Sequence, residues 1–389
     1  MNINLVDDTI NKNDIDSLIT WLQTYPRLTK GPLTEQFEKE WSEWLGVKHS
    51  VYVNSGSSAN LLMAAVLLHG DPKTRQVIVP AVSWATTIAP FKQLGFIPIL
   101  CDCDPDTLAL DVDHLQSIID DPEYAPSAVV VVHALGFPAK MNEIQEICDA
   151  NDLILLEDSC ETVGSTYNNK KTGTFGVMST FSFYFGHHMS TIEGGMICTD
   201  NDDIYALLKM LRSHGWDRDL DDERKESLRK KHNISEFKSL YTFYIEGYNL
   251  RATDLQAYIG LEQLKRLDEI CDIRESNYKY YQENIHNPYW KPNPSDGKIS
   301  NFAYPIIHPK RDEIIKALTE NNIECRPLIC GSMQKQPFLQ RGNYYIKKVG
   351  ESFANDIVEE FGMYIPNHQN MTEDHLDIII TIINDITKE

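Results

Sequence analysis

Short runs of β-branched residues, each followed by a stretch of helical pattern, recur through the first 250 residues and constrain the fold more than any other feature. Val77-Ile-Val-Pro80, Val129-Val-Val-Val-His133 and Leu153-Ile-Leu-Leu-Glu157 are the clearest of these runs, apolar up to their last residue as in strands buried on both faces. Such strands, spaced by helices, build a parallel sheet between helical layers. The second and third runs end in polar residues, as expected where strand C-termini meet a ligand crevice. From Asp254 the pattern turns helical and amphipathic, with Leu255, Ile259, Leu261, Leu264 and Leu267 approximating one face. Beyond it, strand-like Phe302–Ile307 and helical stretches at about 311–321 and 373–388 follow an Asn- and Pro-rich opening near Asn287. The expected organisation is a large domain over 1–253, a linking helix over 254–286 and a small C-terminal α+β domain over 287–389.

Composition removes several classes of function. A formal net charge of -21, with no basic run to offset it, argues against a nucleic-acid surface. Nowhere do about 18 consecutive apolar residues occur, so no transmembrane helix is expected. The first residues are acidic and lack a cationic start followed by an apolar stretch, so no secretory signal is read there and a cytoplasmic protein is expected. The eight cysteines are scattered without metal-ligand spacing and are expected to be reduced thiols. Cys101-x-Cys103 puts two thiols on one strand face, a minor case for a metal.

Four stretches carry candidate chemistry, and each has a plainer local reading. Asn54-Ser-Gly-Ser-Ser-Ala-Asn60 is a small-residue turn between a strand and a helix, which suits a phosphate but also any capped turn. Asp158, in Glu157-Asp-Ser-Cys-Glu161, places a carboxylate at a strand end, and a solvated strand-end residue would look the same. Trp84, in Pro80-Ala-Val-Ser-Trp-Ala-Thr-Thr87, is a ring platform or a buried structural tryptophan. His187 and His188, in Ser182-Phe-Tyr-Phe-Gly-His-His188 ahead of Glu193-Gly-Gly195, are proton carriers or two helix-cap or core histidines.

Together these segments resemble the DegT-type sugar aminotransferases, whose corresponding motif is Ser-Phe-x-x-x-Lys, an acidic residue and two glycines. Gly247-Tyr-Asn249-Leu-Arg251, Arg212-Ser-His214-Gly-Trp216, Glu324-Cys-Arg326-Pro327 and Asn367-His-Gln369 match further family segments, so the resemblance runs from about Gly31 to His368. It implies a type I pyridoxal-phosphate-dependent transferase fold: an α/β large domain with a mostly parallel seven-stranded sheet, and a small α+β domain. It also implies a homodimer with shared active sites. Gly56, Ser57, Ser58 and Ser182 would hold the cofactor phosphate, with Asn249 reaching that of the neighbouring subunit. Asp158 would face the cofactor ring nitrogen, Trp84 would stack on the ring, and Glu161 would stand close to it. Arg212, His214, Arg251 and Arg326 are candidates to bind an anionic nucleotide-sugar substrate, since guanidinium groups suit phosphate oxygens.

The chain departs from the aminotransferase pattern at two positions. His187 falls five residues after Ser182, where the family has its lysine, and imidazole cannot form the stable imine that lysine forms with an aldehyde. Glu161 falls where most of the aminotransferases carry His or Gln. Both departures resemble the 3-dehydratase branch, which implies pyridoxal and pyridoxamine 5'-phosphate as cofactor, L-glutamate as amine donor, His187 as catalytic base and acid, and His188 as support. Three readings compete. A dehydrase with an iron–sulfur cluster and a reductase partner would need several converging cysteines, and Cys198 stands alone after the histidines. An aminotransferase would want a lysine near 187, and there is none between Lys171 and Lys209. A catalytically inactive binding protein would have no use for the strand-end carboxylate.

Overall fold

The computed structural model describes residues 2–342, 344–346 and 352–388. Its main sheet takes seven strands of five to seven residues, β1 (His49–Val53), β2 (Gln76–Pro80), β3 (Ile97–Cys101), β4 (Pro126–Val132), β5 (Ile154–Asp158), β8 (Met178–Ser182) and β9 (Gly195–Thr199). Two-residue strands β6 (Thr166–Tyr167) and β7 (Lys170–Lys171) form a separate hairpin. The sheet order is β1-β9-β8-β5-β4-β2-β3, and Tyr345–Ile346 (β12) adds a short edge beside β3. β9 alone runs against its neighbours, pairing antiparallel with β1 and β8, while the other pairs are parallel. The C-terminal ends of β1, β2, β5 and β8 and the start of β9 therefore share one edge, where an open α/β sheet holds its ligand.

Each buried strand reads as the sequence suggests, with Ile78, Val79, Val129, Val130, Val131 and Leu156 fully enclosed. The helix Gly56–His69 lies across β8 and β9 and is apolar nearly all round, because it is covered by the sheet and by neighbouring helices. The expected single helix over 254–286 is two, Asp254–Leu264 and Leu267–Asn284. Arg266 leaves helical geometry at the junction, and its guanidinium donates to both carboxylate oxygens of Asp14 at 2.7 and 2.9 Å and to the Thr9 carbonyl. A salt bridge to a distant helix outweighs the local periodicity there.

A second, antiparallel sheet of order β10-β13-β11 follows, made of β10 (Tyr304–Ile307), β11 (Arg326–Pro327) and β13 (Gly362–Ile365). The helices Arg311–Glu320 and Glu373–Thr387 cover it. Its core is continuous with Ala81, Val82, Leu135 and Phe137 from the loops of the main sheet, so its packing fixes β11 against the ligand edge. Among the described residues no helix is long and apolar enough to cross a membrane, and no group of three His, Cys, Asp or Glu side chains could hold a metal ion.

Candidate active site

A cavity of about 660 Å³ opens at the shared strand edge. The turn after β1 forms one side. Ser55 caps the helix Gly56–His69 by accepting the Ser58 amide, and Gly56 and Ser57 line the cavity at the positive end of that helix. Two glycines let the turns close around this point. A Cβ on Gly56 would stand 2.6 Å from Ser182 Cβ, and one on Gly195 would stand 2.4 Å from the Ser55 carbonyl carbon. Ser182 lines the cavity beside Gly56. Ser58, expected with them, does not line it: its amide and its hydroxyl are both engaged by Ser55.

Asp158 ends β5 with its carboxylate facing the cavity. Asn60 Nδ2 and Thr87 Oγ1 each donate to Oδ2 at 2.8 Å, and the Cys160 amide donates to Oδ1 at 3.2 Å. The charge is thus buried, hydrogen-bonded and fixed in direction. Sequence reading missed Asn60 and Thr87, although both lie in the quoted segments, four residues after Gly56 and three after Trp84 on their helices. That spacing puts each on the same helix face as the expected ligand.

Trp84 is the N-cap residue of the helix Ala85–Gln93 and stands 56% exposed on the cavity wall, a large ring presented rather than packed. Glu161 Oε2 accepts from the Leu135 amide at 3.0 Å. Burial raises its pKa to about 7, the Asp158 charge adds to the rise, and the Leu135 hydrogen bond opposes it. Leu135 itself sits in the left-handed region at φ 52, and its carbonyl accepts from the Phe302 amide and from Asn301 Nδ2. Arg326, on β11, is the only guanidinium lining the cavity among the described residues.

His187 lines the cavity from the loop between β8 and β9, its ring 5.3 Å from that of Phe302. Its Nδ1 is buried without a hydrogen-bond partner. Desolvation pushes its pKa down to about 4, with the positive charge of Arg274 adding; the Tyr184 backbone opposes the shift from outside hydrogen-bond geometry. His188 points away from the cavity. It is fully buried, and its Nε2 lies 3.0 Å from the Ser300 carbonyl, a contact that makes Nε2 the protonated nitrogen.

The remaining expected residues lie elsewhere in the chain. Arg212, a candidate substrate cation, is instead a core ion pair: 1% exposed, it donates to Glu38 and the Tyr52 carbonyl and bonds Asp219. It does not line the cavity. Arg251 donates from Nε to Asn249 Oδ1 at 3.1 Å, stands 3.5 Å from His214 Nε2 and faces the Trp216 ring. His214, Asn249 and Arg251 thus form one cluster, outside the cavity of their own chain. His133 and Glu157, read as strand-end residues at the crevice, form a fully buried pair at 3.0 Å, with Glu157 also accepting the Gly173, Phe175 and Gly176 amides. Neighbouring strand residues face opposite sides, so Asp158 takes the crevice and Glu157 the far face.

The sheet order and the strand-edge cavity define a type I pyridoxal-phosphate-dependent transferase fold. The chain belongs to the DegT/DnrJ/EryC1/StrS aminotransferase family, whose model matches residues 9–384. It is 35% identical to the GDP-4-keto-6-deoxy-D-mannose 3-dehydratase of Escherichia coli O55:H7 over 91% of this chain and 92% of that one. To the Yersinia pseudotuberculosis enzyme of the same name it is 37% identical, over 88% of each chain. A crystal structure of GDP-4-keto-6-deoxymannose-3-dehydratase with a trapped PLP-glutamate geminal diamine superposes with a TM-score of 0.90 at 32% identity, covering 98% of this chain and all of that one.

Proposed function

We infer that the protein is a pyridoxal-phosphate-dependent 3-dehydratase that removes the C3 hydroxyl of GDP-4-keto-6-deoxy-D-mannose, using L-glutamate as amine donor and releasing ammonia. The observation that carries this reading is His187 on a cavity wall to which no described lysine contributes. A covalent lysine anchor would favour a stable amine product; an imidazole carries protons without trapping an aldehyde.

The residues present fit the cofactor. The cradle at Gly56 and Ser182, which any larger residue would fill, suits its phosphate, together with Ser57. Trp84 offers a ring face, and Asp158 offers a buried anion to a ring nitrogen. When bound in its pyridoxamine form, the cofactor supplies an amine that captures the 4-keto carbon and a protonated ring that accepts electron density. Asp158 holds that ring proton through Coulomb attraction, and Asn60 and Thr87 hold Asp158. His187 enters uncharged, takes a proton at its imidazole, and passes it to the C3 hydroxyl, which leaves as water. Because its conjugate acid is strong, the second transfer is the easier one for this imidazole. Arg326, on the cavity wall, would meet a substrate phosphate. One guanidinium is little for a diphosphate in a chain this acidic, which supports a homodimer in which the surface cluster of His214, Asn249 and Arg251 serves a second copy.

The test is an assay with pyridoxal phosphate, L-glutamate and GDP-4-keto-6-deoxy-D-mannose, followed by mass spectrometry. Ammonia and a product one oxygen lighter are expected. A stable 4-amino sugar without ammonia would make the protein an aminotransferase despite His187.

A further inference from the structure

Arg274, on the helix Leu267–Asn284, is fully buried with no carboxylate partner among the described residues. Buried charges are ordinarily paired, and leaving one unpaired costs several kcal/mol in desolvation. This one is held by backbone instead. Its NH1 donates to the Phe302 carbonyl at 2.9 Å and to the Asn367 carbonyl at 2.5 Å, while Nε and NH2 have no hydrogen-bond partner. Asn367 returns a bond from Nδ2 to the Arg274 carbonyl at 3.0 Å and another to the Asn301 carbonyl at 3.0 Å.

The segment gripped in this way, residues 300–302, is the surface on which both histidines rest. His188 donates from Nε2 to the Ser300 carbonyl, and the His187 ring tilts against the Phe302 ring. The same segment touches the other cavity wall through Leu135, which accepts from Phe302 and Asn301 and donates to Glu161. A single guanidinium therefore fixes the backbone that carries the proton-transfer side of the cavity.

We propose that Arg274 is the positioning residue of His187: a cation buried without a counter-ion, which ties residues 300–302 to the linking helix and sets a fixed positive charge behind the histidine pair. Its charge faces His187, His188 and His368, and all three imidazoles are depressed by burial first and by Arg274 next. The titratable groups that line the cavity with His187 are Asp158, Cys160, Glu161, Tyr184, Glu193, Arg326 and Tyr364. The carboxylates among these favour an imidazolium, and a fixed cation behind the histidine pair opposes them, adding to burial in holding the His187 pKa down. Burial lowers the Arg274 pKa only to about 10, which leaves it charged throughout the working range.

This role rests on His187 being the base, and the experiment separates the two. The His187 imidazole is titrated by nitrogen NMR in the cofactor-free protein, for the unmodified chain and for Arg274→Gln and Arg274→Lys. Glutamine is polar but shorter and loses the charge; lysine keeps the charge. Expected are a His187 that stays neutral to well below pH 6, a rise of about 1 pH unit in the Gln variant, the size of a nearby-charge effect, and a smaller change in the Lys variant. With substrate, the acid limb of kcat/KM should move in step with the NMR titration. A His187 that titrates near 6.5 in the unmodified chain overturns the proposal whatever the variants do. So does an unchanged titration in folded Arg274→Gln. Because the NMR readout needs neither cofactor nor substrate, it stands even if the dehydratase assay fails.

Discussion

The two walls of the cavity are built on opposite principles. On the carboxylate wall the charged group is satisfied: Asp158 receives three donors, and two of these come from helix residues whose own positions are set by packing on the sheet. The histidine wall keeps orphaned atoms, with His187 Nδ1, His188 Nδ1, Arg274 Nε and NH2 and Ser300 Oγ all buried and unpartnered. A saturated wall can hold a charge in one place. A wall with spare donors and acceptors and weakly basic imidazoles can accept and return a proton, at a standing cost in stability. In the proposed function, holding and proton transfer fall on different elements: holding on strand ends, transfer on a loop braced by the C-terminal half.

Substitution of one residue from each wall breaks the comparison most directly. His187→Asn should leave the fold intact and lower turnover by about 10³-fold, the middle of the range for general acid–base groups. The unfolding midpoint and turnover, measured on one preparation, check both halves of that statement. Near-normal dehydration by this variant would remove His187 from the mechanism. Asp158→Asn should act on both function and stability, because its new amide meets the donors of Asn60 and Thr87. A loss of about 10²-fold in turnover, as for removal of one preorganised electrostatic group, is expected with a stability loss of about 1–3 kcal/mol. If the loss of activity came without any loss of stability, the carboxylate wall would not be the rigid side.

A finer test uses Glu161, which bridges the two walls through Leu135. Its pKa of about 7 makes it half-protonated at neutral pH. Any cofactor absorbance change between pH 6 and 8 that depends on this carboxyl should vanish in Glu161→Gln, whose amide still accepts from Leu135. A transition that persists unchanged in that variant would assign it to another group.

The carboxylate wall was legible in the sequence and the histidine wall only in part, for a physical reason. Asp158, Trp84 and the Gly56 turn each follow a strand whose apolar run is local and unambiguous, so their place at the strand edge follows from pattern alone. His187 is legible through its motif, but what sets its properties is not: Arg274 sits in an ordinary amphipathic helix and meets the histidines only through tertiary packing of residues 300–302. Arg212 fails for the converse reason. Its type suits a phosphate, and the fold pairs it with Asp219 and with Glu38, the latter 174 residues away, a pairing that no local pattern reveals. Glu157 was misplaced by a single position, which in a strand means the opposite face.

The smallest expected effect separates the walls by pH. His187 and His368, both pushed down to about 4, bind fewer protons folded than unfolded between pH 4 and 6.5, and His188 acts in the same direction. Stability should therefore rise with pH across that window, by on the order of 1 kcal/mol per histidine between pH 5 and 7. Glu161 opposes them. Its folded pKa is raised, so its contribution is present below about 4.5 and is lost as pH climbs to 7. Urea unfolding at pH 5, 6 and 7 should show net stabilisation with rising pH, and Glu161→Gln, which removes only the opposing term, should steepen it. An equal slope in the variant would mean that Glu161 is ionised in the folded protein below pH 6, and that the bridge between the walls carries a full negative charge toward His187.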